Sequence, residues 1–233
     1  MSSNLLFKKN KLFFIESIFL INYYKYKSYK HIFISRNKMD ALILAGGENK
    51  RIPVIKGFLE INSRKIIEAN IESLLGIFKK VIVSTNSPEL FFYLGLPMVG
   101  DVIDYRSPMT GIFSALSVPD VSEVFVTACD MPYINVILIK YMIEKWSDDW
   151  DAAIPVFEGK LQPLFGIYAK KITKKMEENI RNNRRGLREF LQEINVLYIS
   201  EQDVRNLDPE GRSFVNINTM EDFHREGGKI CLV

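Results

Sequence analysis

The 233-residue chain has only two histidines, His31 and His224, so a mechanism built on a histidine base is disfavoured unless His224 is that base. Its two cysteines, Cys129 and Cys231, form no C-x-x-C and no zinc spacing, and a reducing compartment is the simplest reading. No G-x-x-x-x-G-K-[ST] occurs, which excludes a P-loop, and no G-x-G-x-x-G occurs, which excludes the dinucleotide fingerprint. The longest apolar stretch, Leu12 to Tyr24, contains Glu16 and Asn22 and is shorter than the ~20 residues a spanning helix needs. No small-residue cleavage site follows it, so a signal peptide is poorly supported. Internal repeats and low-complexity linkers are absent too.

What remains is an ordinary globular balance, 47% hydrophobic and 25% charged. The net charge of +3 is unevenly placed: residues 1–38 hold eight basic side chains against Glu16 alone, so they carry +7 and residues 39–233 carry −4. The basic excess therefore belongs to the extension, and the pI is no nucleic-acid signature. Residues 1–38 read as a loosely held basic and aromatic extension or an upstream misreading of the start at Met39, with a membrane-surface arm as the sharper alternative. Residues 39–233 read as one domain.

The chain is organised around Ala41 to Lys56. Ala41-Leu42-Ile43-Leu44 is continuously apolar, as a strand buried on both faces of a parallel sheet requires. Ala45-Gly46-Gly47 follows without a bulky side chain, so its N–H groups can approach phosphate oxygens; an ordinary tight turn is the alternative. Arg51 and Lys56 could offset phosphate charge.

Downstream, Asn62-Ser63 is expected to cap a helix whose apolar face recurs at Ile67, Ile71, Leu74, Leu75 and Phe78. Val81–Ser84 reads as a strand, Ser87-Pro88 as the start of a helix through Leu94, and Leu96–Val99 as a third strand. Ser107-Pro108-Met109-Thr110-Gly111 opens a helix through Leu116, a second candidate phosphate or base site. Val124–Ala128 is a strand, followed by a helix from Asn135 to Trp146. Ala152–Val156 and Leu161–Tyr168 read as strands about a turn at Glu158-Gly159-Lys160. Helices over 172–180 and 187–193, strands over 196–199 and 215–218, and a Thr219/Asp222 cap complete the reading. The alternation is that of βαβ units, so the expected fold is α/β: a single Rossmann-like domain with a mostly parallel central sheet flanked by helices on both faces.

Asp130 lies just past a buried strand, at the edge where α/β proteins bind ligands. A lone carboxylate there, with waters and phosphate oxygens completing the shell, can hold Mg²⁺; a capping Asp is the bland alternative. Asp101 also ends a strand, as a polar contact to nucleotide or metal or as a turn former. Asn86 could bind a base or ribose, or simply turn the chain. Arg181, Arg184, Arg185 and Arg188 are either a solvated face or a clamp on an anionic second substrate. The chemistry suggested is nucleotidyl transfer: a phosphate attacks the α-phosphate of a nucleoside triphosphate. A phosphate monoester has a second pKa of about 6, so no general base is needed. Mg²⁺ on Asp130, with Arg51 and Lys56, would neutralise the charge.

L-A-G-G at 44–47, Arg51 with Lys56, S-P-M-T-G at 107–111, C-D-M-P at 129–132, Q-P-L-F-G-I-Y at 162–168, R-R-G-L-R-E-F-L at 184–191 and N-I-N-T at 216–219 occur in order. Over residues 39–225 this resembles the molybdenum cofactor guanylyltransferases. The resemblance implies GMP transfer from Mg-GTP to molybdenum-molybdopterin in the cytoplasm, with other cofactor-biosynthesis proteins and acceptor molybdoenzymes as partners, and neither nucleic-acid binding nor stable membrane insertion. It implies that Leu44, Ala45, Gly46 and Gly47 contact GTP, Lys56 its phosphates, Asn86, Asp101 and Gly111 the nucleotide, and Asp130 both nucleotide and Mg²⁺. Gln162, Arg185, Asn216 and Asn218 would lie toward the pterin. Transfer of CMP to the same pterin or of a nucleotide to another phosphorylated metabolite, and a nucleotide-binding module without turnover, are the alternatives. The chain departs from the family pattern at Ile52-Pro53 and Val54-Ile55, and Pro53 removes an N–H donor from the loop.

Overall fold

The computed structural model describes residues 39–46, 58–184 and 186–228. The sequence reading of residues 1–38, Gly47, Arg51, Pro53, Lys56, Arg185 and Cys231 falls outside them.

Among the described residues one sheet dominates. Its strands are β1 (Met39–Leu44), β4 (Val81–Ser84), β5 (Met98–Val99), β6 (Glu123–Ala128), β7 (Ala152–Phe157), β8 (Lys160–Leu161), β9 (Gly166–Ala169) and β10 (Val196–Ile199); β2 (Glu60–Ile61) and β3 (Arg64–Lys65) form a separate hairpin. The order is β10-β7-β9-β6-β1-β4-β5, with β8 paired to β7. β1 is an interior strand parallel to both neighbours, with Leu44 level with Ser84 of β4 and Ala128 of β6. β9 runs antiparallel between β6 and β7, and the short β8 is antiparallel to β7. The reason is chain length: residues 158–165 are too few for the crossover of a dozen or more residues that a parallel return needs.

Period-two alternation sorts the sheet onto two layers. Ala41, Ile43, Val81, Val83, Phe125 and Ile167 face one core, with α1 (Ile66–Leu75), α3 (Val136–Lys145) and α6 (Glu201–Leu207). Leu42, Leu44, Ile82, Val124, Val126 and Tyr168 face the other, with α2 (Pro108–Ser117), α4 (Thr173–Arg181) and α5 (Leu187–Leu191). The expected fold class, α/β with helices on both faces of a mostly parallel sheet, is therefore observed. A smaller cluster of Leu59, Ile61, Ile66, Ile217 and Phe223 joins the β2–β3 hairpin to α7 (Met220–Arg225).

Several local expectations change. Asn62 and Ser63 are not an N-cap: both have positive φ (54° and 61°) and form the two-residue turn between β2 and β3. Such hairpin turns require left-handed residues, and Asn adopts that conformation more readily than most. α1 starts instead at Ile66, after Lys65. Residues 88–94 form two 3₁₀ turns, Pro88–Leu90 and Phe92–Leu94, rather than an α-helix; Gly95, at φ 63°, ends the second. The span 161–168 is broken by a turn in which Phe165 N–H donates to Gln162 O at 3.0 Å, next to Pro163, which has no donor for a ladder. Residues 215–218 pair with no strand; Ile217 N–H donates to the carbonyl of Asp130 instead. The Thr219 and Asp222 cap is as read, a capping box on α7, and Ser107 and Asn135, read as helix starts, accept hydrogen bonds from the first turns of α2 and α3.

Candidate active site

Because β1, β4 and β6 end level, the loops leaving them open onto a common cleft of about 670 Å³. Leu44, Ala45 and Gly46 from β1, Asn86 after β4, Asp101 after β5, Gly111 of α2 and Asp130 after β6 all line it. This is the carboxyl edge of the parallel half of the sheet, where backbone groups and loop side chains meet without the sheet covering them.

Asp130 is held from four sides through the main chain. Cys129 N–H donates to Leu44 O at 3.0 Å, Met131 N–H to Ala128 O at 3.2 Å, and Ile217 N–H to Asp130 O at 2.9 Å. The buried Asn70 of α1 closes the turn with a 3.0 Å bond from Nδ2 to Met131 O. The main-chain turn that carries the carboxylate is thereby fixed to β1, to α1 and to the segment around Ile217. The half-buried Asp130 lies on the same cleft as Gly46, as the sequence reading requires.

Asp101 and Asn86 clasp each other. Asp101 N–H donates to Asn86 Oδ1 at 2.8 Å, and Asn86 Nδ2 donates to Asp101 Oδ2 at 2.7 Å. Partial burial raises the Asp101 carboxyl above its ordinary range; the Asn86 bond and the Arg106 charge pull the other way. Asn86 therefore orients Asp101, a role that neither of its sequence readings, base contact or turn former, includes.

Gly111 is needed for closeness. A Cβ there would lie 2.8 Å from Ser84 Oγ and 2.9 Å from Leu44 Cδ2, so the glycine lets the first turn of α2 sit against β1 and β4. Gly111→Val should cost about 1–3 kcal/mol of stability by overpacking and should weaken nucleotide binding, because α2 carries one wall of the cleft. Denaturant unfolding and a nucleotide titration check both.

Of the residues assigned to the pterin side, the described ones, Gln162, Asn216 and Asn218, are not among those lining the cleft. Gln162 belongs to the turn whose Leu164 lines the cleft, and its amide donates to Lys160 O at 3.4 Å. Asn216 and Asn218 flank Ile217, which is bonded to Asp130. Ser84 and Arg106 are cleft residues that fall in none of the quoted motifs. Ser84 ends a strand and Arg106 precedes the Ser107 cap, which are the only signals the sequence carries for them.

The donor set suits one kind of metal. Among the described residues no three His, Cys, Asp or Glu side chains cluster closely enough to cage an ion. A single carboxylate, Asp130, on the same cleft as Gly46 fits a Mg²⁺ that arrives with a triphosphate and keeps phosphate and water oxygens as its other ligands.

A family model described as a MobA-like NTP transferase domain matches residues 41–199. A probable molybdenum cofactor guanylyltransferase of Peptoclostridium acidaminophilum is 35% identical over 191 residues, covering 79% of this chain and 86% of that one. The molybdenum cofactor guanylyltransferase of Syntrophotalea carbinolica is 33% identical over 186 residues, covering 79% and 89%. Among solved structures, molybdopterin-guanine dinucleotide biosynthesis protein A of Archaeoglobus fulgidus superposes with a TM-score of 0.72 at 26% identity, over 81% of this chain and 96% of that one. These matches span both the cleft and the sheet behind it, and the chain belongs to the MobA-like NTP transferases, among the molybdenum cofactor guanylyltransferases.

Proposed function

We propose that the chain transfers GMP from Mg-GTP to the phosphate of molybdenum-molybdopterin, forming the guanine dinucleotide cofactor and pyrophosphate. The observation that carries this reading is the meeting of Gly46, Asp101, Gly111 and Asp130 on one cleft at the ends of β1, β5 and β6. A pterin phosphate oxygen forms the new bond to the α-phosphorus, and the bond from that phosphorus to the bridging oxygen of pyrophosphate breaks. The nucleophile is already ionised near neutral pH, so the chain must supply alignment and charge neutralisation rather than a base. Backbone N–H groups of Ala45-Gly46-Gly47 would hold the phosphates, with Arg51 and Lys56 offsetting their charge. Asp130 would hold Mg²⁺, which when bound screens the charge gathering on the phosphoryl oxygens. Gln162, Arg185, Asn216 and Asn218 would receive the pterin on the Leu164 side. With the second substrate a cofactor precursor, the protein would work in the cytoplasm and hand its product to acceptor molybdoenzymes. No helix among the described residues is long and apolar enough to cross a membrane.

The test is mass-spectrometric detection of the dinucleotide after incubation with molybdenum-molybdopterin, Mg²⁺ and either GTP or CTP. The guanine product with pyrophosphate release is expected. A preference for CTP would replace GMP by CMP in the reaction, and tight GTP binding without pyrophosphate release would make the chain a binding module.

A further inference from the structure

A second, smaller cavity of about 410 Å³ adjoins the cleft, bounded by residues 102–106 and by Asn86 and Asp101. Arg106, Asn86 and Asp101 line both spaces, whereas Gly46 and Asp130 line only the larger. With phosphates at the Gly46 and Asp130 end, the junction at Arg106 is left for the nucleoside. Arg106 is exposed, and among the described residues it makes neither a hydrogen bond nor a salt bridge, so its guanidinium is not committed to holding the fold. The carboxylate of Asp101 beside it is clasped by Asn86 through Oδ2.

We infer that Arg106 determines base specificity, donating two parallel N–H bonds to O6 and N7 of guanine. The inference rests on the guanylyltransferase reading and adds to it the residue that selects the base. A guanidinium is a donor-only fork, and guanine offers two adjacent acceptors on that edge. Adenine offers one acceptor and one donor there, and cytosine, a pyrimidine, lacks the N7/O6 edge, its adjacent N3 and O2 acceptors lying on a different part of a smaller ring, so neither meets the fork as guanine does. Asp101, an acceptor, complements the donor groups on guanine's other edge.

Calorimetric titration of the full chain with GTP, 7-deaza-GTP and CTP, each with Mg²⁺, tests this. The wild-type protein should bind GTP about 10-fold more tightly than 7-deaza-GTP, which lacks the N7 acceptor. Arg106→Ala should bind the two equally while melting at the wild-type temperature. Arg106→Lys keeps the charge but cannot present two parallel N–H groups, so it should follow Arg106→Ala. The inference is overturned if Arg106→Ala keeps the wild-type ratio, if it weakens all three nucleotides by one factor, as a phosphate contact would, or if Lys restores the ratio. A wild-type protein that prefers CTP or binds no GTP would instead overturn the parent reading, and with it the role of Arg106.

Discussion

Asp130→Ala should lower turnover by about 100-fold or more while leaving the protein folded. The activity loss is expected because the carboxylate is the proposed metal anchor on the cleft, and no cluster of alternative ligands exists among the described residues. The fold should survive because the turn is fastened by main-chain bonds to Leu44, Ala128 and Ile217 and by Asn70, none of which uses the Asp130 side chain. Asp130→Asn, which keeps the shape and removes the charge, should lose nearly as much, since a neutral amide oxygen is a poor Mg²⁺ ligand. Steady-state pyrophosphate release, read beside a thermal melt, checks the pair. Full turnover in either variant would sink the assigned role.

Phe125→Ala should destabilise the domain by about 3–5 kcal/mol. Phe125 is completely buried at the centre of β6, level with Ala41 of β1 and Ile167 of β9. Its ring stacks on Phe78 at 5.6 Å and meets Phe165 edge-to-face at 5.0 Å; Phe165 in turn meets Phe214 at 5.6 Å. Removing the ring loses its transfer free energy and leaves a cavity that three strands and the segment after α1 cannot close. Against a total stability of roughly 5–15 kcal/mol for a typical domain, that is a large fraction. The melting temperature should fall by on the order of 10 °C. Phe125→Leu, which refills part of the space, should recover much of the loss. A shift below about 2 °C for the alanine variant would show that this aromatic chain is not where the core is held.

Much of the site was legible because its residues sit where local rules are strong. Ala41–Leu44 is a short apolar run followed by small residues, and it proved to be an interior strand whose carboxyl end opens on the cleft. Ser107-Pro108 and Asn135 mark helix starts that the apolar helical runs behind them make plain. The misreadings have physical causes. At Asn62-Ser63 the same residue types serve caps and tight turns, and only pairing of Glu60–Ile61 with Arg64–Lys65 chose the turn. At 215–218 the alternation Val-Asn-Ile-Asn mimics a strand, but Ile217 is buried by α7 and the β2–β3 hairpin and spends its N–H on Asp130.

By itself the sequence determined the periodicities: which runs are strands or helices, which face of each is apolar, and that several strand ends carry Gly, Asn or Asp. These follow from neighbours a few residues apart, so they can be read along the chain. Only the tertiary structure decided that β9 runs backwards and that Asn86 and Asp101, fifteen residues apart, clasp. It also decided that Asn70 and Ile217 brace Asp130, and that Arg106 stands where two cavities join. Those relations join residues brought together by sheet order and loop length, which no local pattern encodes.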